Sequence, residues 1–191
     1  VAGTRPAQDP DFLAKSPMGK IPVLETQSGF LTETDAIMDY LEEACEGLRL
    51  FPEDAFARAK VRQLMKTQEL YVETPAHALI GALFNRELPD HVTNTSQVEA
   101  RKGLAALARL VRFTPWICGA QFTYADIFVF YSFSLSNRLT QKVYSWDMLQ
   151  EVPGLADWFQ RFAALPITQK IIAENTAAVE HLAARARKQT Q

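Results

Sequence analysis

The chain has 191 residues, of which 48% are hydrophobic and 22% are charged, and its formal net charge is −2. These proportions provide enough apolar material for a core, and they exclude a disordered or fibrous chain. The near-neutral charge gives no electrostatic reason to expect binding to nucleic acid or to an anionic membrane.

Two further classes of protein are excluded by the pattern of residues. The longest weakly charged stretch, 113–137, has an uninterrupted apolar part only at 127–131, which is far too short to cross a bilayer, and no basic-then-apolar signal segment opens the chain. The two cysteines, Cys45 and Cys118, cannot make a disulfide framework, and without clustered histidines they do not indicate a metal site. We therefore expect a cytoplasmic protein that holds no metal and has no membrane partner.

Residues 1–46 predict a small αβ unit. A short helical piece at 11–15 is followed by strand-like runs at 21–25 and 30–32, which flank a turn and predict an antiparallel hairpin. The apolar residues of 33–44 then recur on one helical face, which predicts a helix directly after the second strand.

This hairpin, covered by a single helix, is marginally stable in water. Its apolar strand residues need more sheet to pack against, and these are Val23, Leu24, Phe30 and Leu31. We therefore expect at least one further central strand and another helix, in about 30 residues that precede Val1 in the natural protein.

After a linker at 47–53, the segment 54–191 predicts an all-helical domain of about five or six helices. The first helix carries Val61 to Val72, and Pro75 should kink or end it. The other predicted segments are a helical piece at 76–84, a polar stretch at 85–96, a helix from about Val98 to Val111, a buried helix from 123 to about 137, and helices carrying Leu155 to Phe162 and Ile167 to Leu182.

Ile21 and Pro22 occupy the start of the first strand, where a proline removes one hydrogen-bond donor of the ladder. A cis Ile21–Pro22 bond would turn the N–H and C=O of Ile21 outward, so that a peptide-like ligand pairs with them as an added strand. Alternatively, Pro22 begins an edge strand through a trans bond, the commoner form for this dipeptide.

Hydroxyls and carboxylates meet where the second strand runs into the helix. Thr34, at the positive end of the helix dipole, can hold a ligand carboxylate, and Glu33 can accept hydrogen bonds from a ligand ammonium group. Together they would bind an amino-acid head group. The alternative is a capping box between Thr32 and Asp35, in which the polar groups serve only the helix.

A second capping box is predicted at Thr123 and Asp126, where Thr123 is the N-cap and Asp126 reaches back to its amide. Phe122 and Ile127 stand at the positions of a hydrophobic staple. A buried helix needs its first amides satisfied internally, so we interpret these residues as structural.

The order and spacing of these segments resembles the cytosolic glutathione transferase superfamily, in its bacterial type. Pro-x-Gly-Lys-Ile-Pro-Val-Leu is followed by Leu-Thr-Glu-Thr-x-Ala-Ile, which begins nine residues after Pro22, and then by Phe-Thr-x-Ala-Asp-Ile in a helical domain. The resemblance covers nearly the whole chain. It implies an α+β thioredoxin-like N-terminal domain, of which 1–46 is the later part, followed by an all-α helical bundle.

The resemblance also implies roles for individual residues. Pro22 corresponds to the family's cis-proline, and the main chain of Ile21 then pairs with the cysteinyl part of glutathione. Glu33 and Thr34 match the pair that holds the γ-glutamyl end, and Lys20 lies where a glutathione-contacting residue is often found.

The catalytic Tyr, Ser or Cys of this family lies just after the first strand, so the resemblance places it upstream of Val1. That residue stabilises the glutathione thiolate and makes it a nucleophile near neutral pH. Tyr71, His77 and Phe84 lie on the helical segments that would border the second-substrate pocket.

The implied reaction is conjugation of the glutathione thiolate, supplied as co-substrate, to small apolar electrophiles, with a role in detoxification and a homodimeric assembly. Two alternatives stay open. One is a non-catalytic binding module of the kind found in translation-factor subunits or bacterial stress regulators. The other is a glutathione-dependent lyase, isomerase or thiol reductase. An upstream Tyr or Ser would favour conjugation, and a Cys would favour thiol–disulfide chemistry. The absence of all three residues would favour the binding module.

Overall fold

The computed structural model describes the backbone of residues 9–189 and the side chains of residues 9–177. The chain divides into two compact units, Val1–Phe51 and Pro52–Gln191. The boundary between them falls inside the predicted linker 47–53.

The first unit contains, in order, helix α1 (Pro10–Leu13), strands β1 (Val23–Thr26) and β2 (Gly29–Thr32), and helix α2 (Thr34–Ala44). The strands form an antiparallel hairpin in which Val23 pairs with Thr32 and Thr26 pairs with Gly29. The first strand begins at residue 23 instead of the predicted 21, because Pro22 has no N–H to give to the ladder.

The hairpin has a small core in the part of the unit that the structure describes. Val23, Leu24 and Leu31 are half-buried, and Phe30 is exposed. Ile37 of α2 is buried, and the ammonium group of Lys15 lies 5.1 Å from the centre of the Phe30 ring.

The segment after α2 is held by Glu42, a buried carboxylate. Its two oxygens accept hydrogen bonds from the amides of Leu50 at 3.0 Å and Phe51 at 3.1 Å. The guanidinium of Arg49 donates to the Glu42 carbonyl. Residues 49–51 are therefore fastened to the first unit although they belong to the predicted linker.

The regular secondary structure described in the second unit is helical, apart from an isolated β-bridge between Trp116 and Gly119. Its α-helices are α3 (Ala55–Gln68), α4 (Thr74–His77), α5 (Asp90–Ala108), α6 (Tyr124–Tyr144), α7 (Leu155–Ala163) and α8 (Pro166–Gln189), with a π-helical turn at Glu69–Glu73 and 3₁₀ turns at Ile80–Phe84 and Met148–Gln150.

The helix predicted to kink or end at Pro75 does not end there, and the predicted helical piece at 76–84 is corrected. Helix α3 passes through the π-helical turn into α4, and Pro75 is the second residue of α4. The segment 76–84 is interrupted, because α4 ends at His77 and the chain continues in a 3₁₀ turn.

Helix α5 begins at Asp90, so the polar stretch 85–96 is only partly outside a helix, contrary to the prediction. Pro89 is the N-cap, and Ser96 is buried, with its hydroxyl donating to the Pro75 carbonyl at 2.7 Å. Polar residues in this turn therefore serve an internal contact, which a hydrophobic pattern does not reveal.

Helix α6 extends to Tyr144 instead of ending near Asn137. Asn137 is buried and uses its amide to hold the following turn, donating to Asp147 at 3.0 Å and accepting from the Met148 amide at 2.7 Å. Helix α6 lies at the centre of the core, with the ring of Phe130 centred 4.3 Å from Phe162 of α7. No helix in residues 9–189 has the length and apolar composition that a membrane span requires.

Candidate functional site

The Ile21–Pro22 peptide bond is cis, so the trans alternative is wrong. The Ile21 side chain is 83% exposed. Neither the N–H nor the C=O of Ile21 has a hydrogen-bond partner within residues 9–189. Ile21 therefore presents an unpaired strand-like backbone just ahead of β1.

Glu33 has a backbone conformation that is rare for a residue with a side chain, with φ of 67° and ψ of 122°. It is the N-cap of α2, and its carbonyl accepts the first helical hydrogen bond from Ile37 at 3.0 Å. Its exposed carboxylate makes no capping hydrogen bond. The alternative of a capping box between Thr32 and Asp35 is therefore wrong, because the N-cap is Glu33. Strained backbone of this kind is concentrated at binding and catalytic sites.

Thr34 is the first residue of α2, and its side chain is half-buried. Its N–H is one of the donors that a helix cannot satisfy within its first turn. Neither this N–H nor the Thr34 hydroxyl has a partner in the described part of the chain. Both donors therefore lie at the positive end of the helix dipole and are available to an anion.

The register of the hairpin brings these residues to one end of it. Because Val23 pairs with Thr32, the Ile21–Pro22 segment and the Glu33–Thr34 pair continue outward from the same end of the ladder. Neighbouring strands lie about 5 Å apart. An unpaired backbone, a carboxylate and a helix N-terminus are therefore neighbours.

Lys20 adds a cation next to this group, and its side chain is exposed. Its backbone, unlike that of Ile21, is fully hydrogen-bonded, because its N–H and C=O both bond to the hydroxyl of Ser16. The five residues of the predicted glutathione site thus form one contiguous group at the end of the hairpin.

Asp126 is fully buried in the second unit and accepts four hydrogen bonds. The amide and hydroxyl of Thr123 donate to one oxygen at 2.9 and 3.2 Å. The Ile117 amide and the Trp158 indole donate to the other at 2.8 and 2.9 Å. Burial raises the pKa of the Asp126 carboxyl, and these hydrogen bonds partly oppose the shift. The carboxylate thus caps α6 and ties it to the preceding loop and to α7.

A series of hydrogen-bonded polar side chains links α3 to α6, and it was not predicted from the sequence. The Gln68 amide donates to the Ser132 hydroxyl at 3.0 Å, and that hydroxyl donates to the Glu73 carboxylate at 2.6 Å. The amide oxygen of Gln68 is buried and has no hydrogen-bond partner among the described residues. The signal in the sequence was a glutamine on the buried stripe of α3 and a serine on the otherwise apolar α6.

The comparisons with known proteins agree with this arrangement. Residues 2–48 match the family model of the glutathione S-transferase N-terminal domain, and residues 83–161 match that of the C-terminal domain. A glutathione S-transferase of Pseudomonas putida is 38% identical over 90% of this chain and 79% of its own length. This chain belongs to the glutathione S-transferase family. The prediction of a bacterial-type glutathione S-transferase enzyme is confirmed.

A solved glutathione S-transferase of Pseudomonas fluorescens superposes with a TM-score of 0.68 at 28% identity, over 84% of this chain and 77% of that one. The predicted fold, a thioredoxin-like domain followed by a helical domain, is thereby confirmed. The relatives of this chain also include proteins named as isomerases. A maleylacetoacetate isomerase of Pseudomonas aeruginosa is 26% identical over 78% of this chain and 72% of its own length.

The three residues predicted for the second-substrate pocket of this transferase lie on three separate elements. Tyr71, in the π-helical turn, is 55% exposed, and His77 is exposed at the end of α4. Phe84, at the end of the 3₁₀ turn, is 69% exposed, with the guanidinium of Arg86 at 5.9 Å from its ring centre. All three are accessible, and their role in the pocket stays a prediction.

Proposed function

We propose that this member of the family binds glutathione and conjugates its thiolate to small apolar electrophiles. The observation that carries the proposal is the unpaired backbone of Ile21 lying beside Glu33 and Thr34 at one end of the hairpin. A tripeptide with a zwitterionic head needs a strand edge, an acceptor for its ammonium group and donors for its carboxylate, and Ile21, Glu33 and the Thr34 end of α2 provide these.

Each residue has a distinct part in binding. The N–H and C=O of Ile21 pair with the cysteinyl residue of glutathione as an added strand. The Thr34 donors bind the γ-glutamyl carboxylate, and Glu33 accepts hydrogen bonds from the ammonium group of the same head. Lys20 supplies positive charge for a second carboxylate of the tripeptide.

The chemistry assigned to these residues is binding and orientation. In conjugation to an aryl halide, the thiolate sulfur forms a bond to the ring carbon and the halide ion leaves. Holding the tripeptide in a fixed pose raises the effective concentration of its sulfur next to the electrophile. Stabilisation of the thiolate is not assigned to any residue of this group.

Glutathione affinity of the Glu33→Gln variant tests the proposal. Loss of the charged acceptor should weaken glutathione binding at least about tenfold, measured by calorimetry, because a hydrogen bond to a charged group contributes about 1.5–3 kcal/mol. Glu25→Gln is the matched control, because Glu25 is an exposed carboxylate in β1 of the same hairpin. Equal affinities of the two variants would contradict the proposal.

Glutathione-dependent isomerisation is the second candidate, favoured by the relationship to the Pseudomonas aeruginosa isomerase. Both functions use the same tripeptide site, so binding does not separate them. Turnover of a generic aryl halide supports conjugation, whereas retention on immobilised glutathione without such turnover supports isomerase or thiol-exchange chemistry.

We also propose that the protein is a cytoplasmic homodimer that acts in detoxification, and that Tyr71, His77 and Phe84 contact the electrophile. The support is membership of the family, together with the exposure of the three side chains. The molar mass measured by light scattering during size-exclusion chromatography tests whether the protein is a dimer. A change in the KM of the electrophile in Tyr71→Ala, with the KM of glutathione unchanged, tests the pocket.

A further inference from the structure

Ser16 is a buried polar residue that the proposed binding site does not use directly. Its side chain is 1% exposed, and its hydroxyl makes two hydrogen bonds to the backbone of one residue. The hydroxyl donates to the Lys20 carbonyl at 2.7 Å and accepts from the Lys20 amide at 2.9 Å. A buried hydroxyl has a strong requirement for such partners, because a buried polar group without a hydrogen bond is destabilising.

These bonds close the loop 16–20 into a ring. The Gly19 amide donates to the Ser16 carbonyl at 2.8 Å, and Gly19 has a φ of 61°, a conformation that glycine adopts without steric cost. Ser16 thus bonds to the backbone of both Gly19 and Lys20, the last two residues of the loop.

The ring is anchored to the elements on either side of it. The Ser16 amide donates to the Phe12 carbonyl of α1 at 2.8 Å. Lys15, which precedes it, lies over the Phe30 ring of β2. The Ser16 backbone is therefore tied to α1, and the side chain of the neighbouring Lys15 contacts the hairpin.

Lys20 and Ile21 are adjacent, but their backbone groups differ in hydrogen bonding. Ser16 satisfies both groups of Lys20, whereas the next residue, Ile21, has neither group paired in the part of the chain that the structure describes. Because Lys20 and Ile21 share a peptide unit, fixing the carbonyl of Lys20 also fixes the plane that contains the amide of Ile21. The direction of this amide therefore depends on the Ser16 hydroxyl.

We propose that Ser16 is a positioning residue for glutathione, which holds the Ile21 backbone in the orientation in which the tripeptide pairs with it. This proposal rests on the proposed function. Ser16 does not touch the ligand, and its effect is confined to the affinity for glutathione. The KM of the electrophile and the kcat at saturating glutathione stay unchanged.

The test compares Ser16→Thr with Ser16→Val in the full-length protein, since these side chains have the same shape and only Thr carries the hydroxyl. Ser16→Val should raise the KM of glutathione about tenfold over Ser16→Thr, which corresponds to about 1.4 kcal/mol, because it loses both hydrogen bonds to the Lys20 backbone. Ser16→Ala should behave as Ser16→Val. Ser28→Ala is the matched control, since Ser28 is an exposed serine of the hairpin turn.

Several outcomes would overturn the proposal. One is an equal KM of glutathione in the Thr and Val variants, and another is a fall in kcat together with a rise in both KM values. Failure of both Ser16→Val and Ser16→Ala to fold, judged by circular dichroism, would assign the hydroxyl to the fold of the unit instead of to the site. These results concern Ser16 alone if the unchanged protein binds glutathione. If the unchanged protein does not bind glutathione, the proposed function itself fails.

Discussion

Replacement of Asp126 by alanine probes the contact that joins three parts of the helical unit. The substitution removes a carboxylate that accepts from Thr123, Ile117 and Trp158, and it leaves the backbone of α6 unchanged at that position. The helix keeps its Thr123 hydroxyl cap, so the effect measured is the loss of the carboxylate and not the loss of the N-cap residue.

The magnitude follows from the donors that are left behind. The amides of Ile117 and Thr123 and the indole N–H of Trp158 lose their acceptor in a region that water does not reach, since Trp158 and Asp126 are both 0% exposed. Each buried unpaired donor costs about 1–3 kcal/mol, so we expect the free energy of unfolding to fall by at least about 3 kcal/mol. For a chain of this size, that loss lowers the melting temperature by about 6–12 °C.

Urea unfolding followed by tryptophan fluorescence measures this loss. Asp126→Asn should lose less, because an amide keeps one acceptor oxygen and so retains the donors on one side of the group. Asp157→Ala is the matched control, since Asp157 is an exposed carboxylate in the first turn of α7 and contributes at most about 1 kcal/mol through the helix dipole. A loss below about 1 kcal/mol in Asp126→Ala would refute the reasoning.

Two further predictions concern a thiol and a glycine of the second unit. Burial raises the pKa of Cys118 to about 11, so at pH 8 only about 0.1% of this thiol is ionised, and a thiol reagent should modify the exposed Cys45 first. Because this pKa lies above the ordinary 9.0, the protonated Cys118 thiol stabilises the folded state below pH 9, and this stabilisation is lost as pH rises through 11. Cys118→Ala should therefore weaken the alkaline loss of stability that urea titrations measure. Gly103→Ala should destabilise the protein by about 2–3 kcal/mol, because the new Cβ would lie 1.8 Å from the Tyr71 carbonyl oxygen; a gain of about 0.5–1 kcal/mol, usual for this change in a helix, would contradict the prediction.

Local patterns predict the hairpin and the helix that follows it, since alternating apolar residues and a turn specify a short antiparallel pair. They also indicate the residues that gather at its end, because register alone brings 21–22 and 33–34 together. The conformation of Glu33 is not predictable in this way. A positive φ at a glutamate contradicts its intrinsic preference, and only the tertiary structure selects it.

The helical unit departs from its pattern where polar residues are buried. Gln68, Ser96 and Asn137 are polar, yet each is buried and bonds to a group distant in sequence or in the next turn. Such contacts extend α5 toward its start and α6 toward its end. The spacing of apolar residues does not predict the π-helical turn after Gln68, because a repeat of 3.6 residues does not reveal a single residue inserted into a helix.

The two units use their polar groups in opposite ways, and this contrast distinguishes a binding site from a structural one. The Asp126 carboxylate is enclosed and accepts four hydrogen bonds from its own unit, which leaves it no capacity for a ligand. At the end of the hairpin, Ile21 and Thr34 keep backbone donors that the described residues do not use, next to an exposed carboxylate. Unpaired donors persist only where water or a ligand can reach them, because burial without a partner is costly. The accessible, unsatisfied end of the first unit is therefore where we propose that a tripeptide replaces water at little cost, and Ser16 matters to that proposal because its bonds to Lys20 fix the plane of the Ile21 amide.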